Sequence, residues 1–274
     1  MSLFYHVTVL QHRLDRAAAA LAIAVTPRSV HDTRVAARRI RVMIRACRGY
    51  LDSAAARRYR RCLKALTREL EAVREAHVRR NALGHLAKER RGNIHGKHSR
   101  ALYERASKEY DSVAYRLRLT VTTARWQQRL TDLRELSVLS SRVKDDDDWA
   151  ATAMNRVVKR CRRRLRDALA RVGRSPKKLH KIRLKVKAMR YVLEHCLSKN
   201  AIATNLEVKH LREMQNCLGD MHDEENLLKS LRTEQRYREA ARDMCEELKA
   251  RKERRIHAFK GCRKRLSRLW AARK

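Results

Sequence analysis

The chain has 274 residues, with 68 Lys and Arg against 30 Asp and Glu, for a formal charge of +38 at pH 7. Two prolines, seven glycines and 5% aromatic residues exclude a sheet protein, which needs turn residues and β-branched or aromatic strands. Ala, Leu, Arg, Lys and Glu predict an all-α chain, and the excess charge, which repels itself in a compact fold, calls for an anionic partner: nucleic acid, polyphosphate or an anionic membrane.

The helical period runs almost continuously, so the breaks define the elements. A first helix is expected over about 3–24. The Thr26-Pro27-Arg28-Ser29 break follows, with Ser29 as the expected N-cap of a basic helix that ends near Gly49. Asp52-Ser53 starts a third helix to about residue 90, and Gly92 and Gly96 break the chain. A fourth helical region, kinked, covers about 97–140. The acidic run Lys144-Asp145-Asp146-Asp147-Asp148-Trp149 marks a connection at about 141–148, whose carboxylates suit the next helix N-terminus. A helix over about 147–171 follows, and Gly173-Arg174-Ser175-Pro176 ends it. A second basic helix covers 177–198. Two more run over about 203–231 and 234–271.

Each half, 1–143 and 147–274, thus has four helices, and in each the basic helix is second and follows a Ser/Thr-Pro break. At an offset of 149, His31 pairs with His180, Arg34 with Arg183, Arg38 with Lys187, Arg41 with Arg190 and Cys47 with Cys196. The apolar positions Val30/Leu179, Val35/Leu184, Ile40/Met189 and Ile44/Leu193 match as well. An internal duplication is the reading these matches favour.

At about 100° per residue, Ile40, Met43, Ile44, Cys47 and Leu51 fall on one side of the first basic helix. His31, Arg34, Arg38, Arg41 and Arg45 fall within an arc of about 80° on the other. The second basic helix repeats this map with Met189, Val192, Leu193 and Cys196 against His180, Arg183, Lys187 and Arg190. Glu194 stands where the first helix has Arg45, which shortens or self-neutralises the second strip. Neighbouring cationic heads lie about 4.5–6 Å apart along the axis. Such rows repel internally, and a row of phosphates, each held by two Arg donors, relieves the repulsion. No acid lies on the first strip, and the strip is expected outside the packed core. A single such strip is usually a solvated face; its duplication with His in register favours a site.

The seven cysteines form no CxxC motif, and most occupy apolar helical positions, as small hydrophobes in a reducing cytoplasm do. No apolar run spans a membrane and no leader is expected: Ala17–Val25 is too short and follows Asp15. The loose pairs His95/His98 and His77/His85 lack ligand partners, so neither a metal nor a cofactor is expected. A phosphate-processing enzyme would need metal-binding carboxylates or a Gly-rich loop. The only acidic cluster, Asp145 to Asp148, sits in a connection, so no catalysis is expected. Nucleic acid is the second choice of partner. Apart from Tyr191, no aromatic side chain interleaves the strips for base stacking, and no helix-turn-helix, zinc-finger or RNP pattern is present.

The two His-x-x-Arg-x-x-x-[Arg/Lys]-x-x-Arg helices resemble the paired basic helices of the CHAD family, the conserved histidine α-helical domain. Downstream, Leu218-Gly219-Asp220-Met221-His222-Asp223 is similar to that family's LG-x-x-x-D motif. The first-half equivalent, Leu70-Glu71-Ala72-Val73-Arg74-Glu75, has Glu in place of Gly. The resemblance spans about residues 3–270. It implies a single domain of two four-helix bundles related by a pseudo-twofold, with both basic helices facing a central positive groove or pore. It also implies non-catalytic binding of inorganic polyphosphate, with sulfate or phosphate able to occupy the site, and polyphosphate granules as one location. Carried over by position, the contacts are His31, Arg34, Arg38, Arg39, Arg41 and Arg45, then His180, Arg183, Lys185, Lys187 and Arg190. Arg74, Lys209 and Arg212 on the third helices are secondary contacts.

Overall fold

The computed structural model describes residues 3–47, 51–89, 96–135, 147–173, 175–196, 202–231 and 238–272. Ten helices and no strand occur among them: α1 (Leu3–Ile23), α2 (Pro27–Ala46), α3 (Ser53–Glu69), α4 (Glu71–Glu89), α5 (Gly96–Val121), α6 (Ala124–Glu135), α7 (Asp147–Ala170), α8 (Pro176–Cys196), α9 (Ile202–Leu231) and α10 (Arg238–Ala271). The all-α expectation is met. Of the expected acidic linker at 141–148, residues 141–146 lie outside what is described, as do Gly49, Gly92, His95 and the side chain of His98, while 147 and 148 open α7.

Eight helices were expected, and two of them are each divided in two. The third breaks at Leu70, where Arg34 Nη1 donates to the carbonyl of Thr67 at 3.3 Å. That carbonyl is the one the Glu71 N–H takes in an unbroken helix, and a side chain entering the ladder is a common origin of a break. The fourth breaks after Val121, in a Thr-rich stretch. Thr120, Thr122 and Thr123 each turn a hydroxyl onto a carbonyl three or four residues back, at 2.7–2.9 Å. Hydroxyls that bond the backbone locally compete with the helical ladder. Thr123 Oγ1 then accepts from the Trp126 N–H at 3.3 Å and starts α6.

The α2 N-cap is Thr26 rather than Ser29. Its hydroxyl accepts from the Ser29 N–H at 3.1 Å while the Ser29 hydroxyl accepts from the Thr26 N–H at 2.9 Å, a reciprocal capping box. Pro27, with φ preset for the first helical turn, begins the helix earlier than the polar residue at position 29 suggests. Asp52 caps α3 as expected, accepting from Ala55 N at 2.8 Å.

The chain divides into two compact units: 1–77 with 109–160, and 78–108 with 161–274. In the first, α1 packs on α2, α2 on α3 and α3 on α6. Leu10, Leu14, Ala18 and Leu21 of α1 are sealed in, as are Val30, Ala37, Ile40, Met43, Ile44 and Cys47 on and just after α2. Tyr59, Leu63 and Leu66 of α3 and Trp126, Leu130 and Leu133 of α6 are buried too. Tyr59 donates its hydroxyl to Gln11, and Thr33 Oγ1 donates to the carbonyl of Ala17 at 3.0 Å, so these two interior hydroxyls are paired.

In the second unit α9 packs on α8 and α10. One cluster joins Leu83, Leu102 and Ala106 to Leu227, Leu228 and Leu231 of α9 and to Met244 and Leu248 of α10. This packing assigns residues 78–108 to the second unit, so the boundary between units does not follow the sequence repeat. Elsewhere Glu207, fully buried on α9, accepts from Arg162 Nη2 of α7 at 2.9 Å and from Trp270 Nε1 of α10 at 2.8 Å. Glu207→Leu leaves the half-buried Arg162 cation and the indole N–H without that acceptor. We expect a loss of about 3 kcal/mol in urea unfolding, with Glu207→Gln costing less because one acceptor oxygen remains.

Candidate functional site: two basic ridges

The α2 ridge follows from the sealing of its other side. With Ile40, Met43, Ile44 and Cys47 in the core, His31, Arg38, Arg41 and Arg45 have only the opposite face available. His31 and Arg45 are exposed, and Arg38, Arg39 and Arg41 are half-buried. Arg41 Nη1 lies 3.4 Å from Thr67 Oγ1. Arg38, Arg45 and Arg60 of α3 surround Arg41, and desolvation together with these like charges lowers its pKa against a small opposing pull from Glu71. Desolvation also lowers the pKa of His31, followed by the cation of Arg74 on α4 and those of Arg38 and Arg34, with Asp32 opposing. The first unit therefore gathers His31, Arg34, Arg38, Arg41, Arg45, Arg60 and Arg74 around one helix face. Neither Arg38 nor Arg45 forms an ion pair among the described residues.

Arg34 departs from the expectation. It is only 8% exposed, inside the packed region, and its Nη2 pairs with Glu71 Oε1 at 3.0 Å. An acid does reach the first strip, supplied from α4 by the residue that replaces the motif glycine. The sequence around Arg34 could not show this, because the carboxylate arrives from another helix.

The α8 ridge is arranged differently. Lys187 is 9% exposed and also lies within the packing, against expectation, while His180, Arg183 and Arg190 are half-buried. Arg190 Nη1 pairs with Glu194 at 3.4 Å and its guanidinium lies 4.9 Å from the Tyr191 ring centroid. Arg212 of α9 pairs with the same Glu194 oxygen at 3.5 Å, so the end of this strip is neutralised as its sequence suggests. Lys185 turns away from the ridge and donates to the carbonyl of Arg164 on α7 at 3.2 Å. Lys209 is exposed on α9.

His222 of α9 stacks obliquely on His180, with ring centroids 5.0 Å apart. The pKa of each histidine is lowered, first by desolvation and then by the Arg183 cation; Lys187 adds to both, and Asp223 opposes at His222. Both rings are therefore held towards the neutral form. Asp220, beside Arg255 and Arg183, has its pKa raised by desolvation, with Arg255 pulling the other way. Arg255 donates to Asp220 within the motif at 2.6 Å and to Glu224 next to it at 2.7 Å. At Gly219, a Cβ would lie 3.9 Å from Arg183 Nη2. The position that carries a carboxylate in the first half is thus vacant beside the equivalent arginine in the second.

The sequence matches the CHAD domain over residues 8–232. The chain belongs to the CHAD-domain family. Two solved structures share its fold. PptA from Streptomyces chartreusis superposes with a TM-score of 0.78 at 15% identity, over 95% of this chain and 97% of that one. The crystal structure of the CHAD domain from the plant Ricinus communis gives a TM-score of 0.71 at 20% identity, over 96% of this chain and 92% of that one. No curated protein matches the sequence. No helix of the described residues is long and apolar enough to cross a membrane.

Two ridge residues of this CHAD domain, Arg60 and His222, escape a reading of the basic helices alone. Arg60 belongs to α3, whose own cationic positions give no sign that one of them reaches α2. His222 is visible as part of the Leu218–Asp223 motif, and the signal for its role is its place four residues after Leu218, which is buried. The ridge arginines should also differ in what they contribute to folding. We expect Arg34→Ala to cost about 2 kcal/mol in urea unfolding, because it removes the bonds to Thr67 and Glu71 from a packed position. Arg38→Ala and Arg45→Ala should stay within about 0.5 kcal/mol.

Proposed function

We propose that this CHAD domain binds inorganic polyphosphate along its two basic ridges and does not catalyse its turnover. The observation that carries the reading is the row of cations on one face of α2, of which Arg38 and Arg45 pair with no carboxylate among the described residues. A rigid row of guanidinium groups complements a repeating anion, and each can hold phosphate oxygens through two donors. His180 and His222, pushed towards the neutral form by desolvation and by the Arg183 cation, can donate or accept a hydrogen bond at the same surface. The reading includes the arrangement that the family resemblance implies: two pseudo-twofold four-helix bundles whose ridges line one groove, occupied by one polymer. A location on polyphosphate granules follows from it as a further proposal.

Four measurements test this. Binding releases counterions, so the logarithm of the affinity for long-chain polyphosphate should fall linearly and steeply with the logarithm of salt concentration. Arg38→Ala with Arg45→Ala and Arg41→Ala should weaken binding at least tenfold while the circular dichroism and unfolding midpoint stay near wild type. Unchanged retention on polyphosphate resin would sink the proposal, as would failure of excess polyphosphate to displace nucleic acid at matched charge and salt. One polymer per chain at saturation supports a shared groove; two support separate ridges.

The histidines set the direction of the pH dependence. In the free protein the pKa values of His180 and His222 are lowered. A bound phosphate favours the protonated ring and raises them, so binding takes up protons. Affinity should therefore rise as pH falls from 8 to 6 at constant ionic strength, and His180→Gln with His222→Gln should flatten that slope. Titration calorimetry in two buffers of different ionisation enthalpy reads the proton uptake directly.

A further inference from the structure

Away from the ridges, α3 and α6 border a cavity of about 350 Å³, lined by Arg58, Arg61 and Cys62 of α3 and by Asp132 and Glu135 of α6. Tyr59 and Leu63 of α3 and Leu130 and Leu133 of α6 are buried where the two helices pack, which fixes the backbones of both walls. Thr67 of α3 faces the α2 ridge, where Arg34 reaches its carbonyl and Arg41 its hydroxyl. Arg58 lies nine residues earlier, about 180° round the helix, so the cavity is on the side away from that ridge.

The charges are sorted by wall. Two guanidinium groups stand three residues apart on α3, and two carboxylates stand three residues apart on α6. Among the described residues, no nitrogen of Arg58 or Arg61 comes within 4.0 Å of an oxygen of Asp132 or Glu135. The nearest cations on α6 are engaged elsewhere: Arg129 pairs with Glu69 and Arg134 with Asp15. Asp132 accepts a hydrogen bond from Gln128 Nε2 at 3.0 Å, which leaves its charge in place. Cys62 is half-buried on the arginine wall.

We propose that this cavity binds a small zwitterion, an amino acid or short peptide with free ammonium and carboxylate ends. A carboxylate can take paired N–H donors from the Arg58 and Arg61 guanidinium groups. An ammonium has three donors and no acceptor, which suits the oxygens of Asp132 and Glu135. A plain anion, polyphosphate included, is repelled by the acidic wall, and a plain cation by the arginine wall. A solute with one charge at each end satisfies both. Single ion pairs at so open a site contribute little, so retention requires both ends. The volume lies near the low end of the range for small-molecule sites, about 300–1,000 Å³, in keeping with a ligand of this size.

The thiol of Cys62 reports occupancy. The full chain is alkylated with N-ethylmaleimide in the presence of glycine, diglycine or triglycine, and each cysteine is followed by mass spectrometry. At least one of the three should slow modification of Cys62 in a saturable way and leave the other cysteines unchanged. At ten times its dissociation constant the slowing should be about tenfold, because only the unoccupied fraction reacts. The N-acetyl and the C-terminal amide forms of the same compound should protect far less. Arg58→Ala with Arg61→Ala, and Asp132→Asn with Glu135→Gln, should each abolish protection while circular dichroism stays near wild type. Absence of saturable protection, equal protection by the end-blocked forms, or protection by polyphosphate in place of the zwitterions overturns the proposal. The wild-type measurements decide it even if a variant folds poorly, and they do not depend on whether the ridges bind polyphosphate.

Discussion

A helix whose apolar side is sealed into a core has no freedom to turn its charged side elsewhere. This constraint governs α2. Val30, Ala37, Ile40, Met43 and Ile44 are closed off from solvent, so the basic residues between them are fixed in a row. The row is held in place by packing on its far side and at one point by an anchor, Arg34, bound to a backbone carbonyl and a carboxylate. Repulsion among the remaining guanidinium groups is then a property of the folded helix rather than something it can relax by turning. Desolvation, with the like charges of Arg38, Arg60 and Arg45 adding to it, lowers the pKa of Arg41 within that row.

The two halves solve the same problem with different parts. In the first, Arg34 reaches into a break between α3 and α4 and meets Glu71. In the second, α9 runs unbroken through Gly219, and Arg183 lies against the space a side chain would fill. The acids of the second half are gathered instead by Arg255 from α10, a helix beyond the residues matched to the family, and by Arg190 and Arg212, which share Glu194. Arg255 lies off the ridge and engages Asp220 and Glu224 in its stead, whereas Glu194 takes up charge from the ridge's own Arg190.

Most of the fold class and the facing of the ridges is legible in the sequence, because both depend on local spacing. The period that puts Met189, Val192 and Leu193 on one side of α8 puts His180 and Arg183 on the other whatever the tertiary arrangement. What the sequence hides is set by groups arriving from elsewhere. The burial of Arg34 and Lys187, the approach of Arg60 to Arg41 and the contact of His222 with His180 all depend on where a second helix lies. Lys185 is an instructive case: it belongs to the basic helix, yet its position five residues after His180 turns it toward α7. The breaks at Leu70 and Val121 carry neither Gly nor Pro. They come from side chains that take backbone hydrogen bonds, a signal far weaker than a punctuating residue.

The carboxylate of Glu71 has a consequence for selectivity. It occupies Arg34 at 3.0 Å before any solute arrives, as a tethered rival with a high local concentration. A small monovalent anion gains little by displacing it. On the proposed reading, a solute with many closely spaced charges would engage the neighbouring arginines first and contest the anchor last, so the first half would discriminate by charge density rather than by the mere presence of an anion.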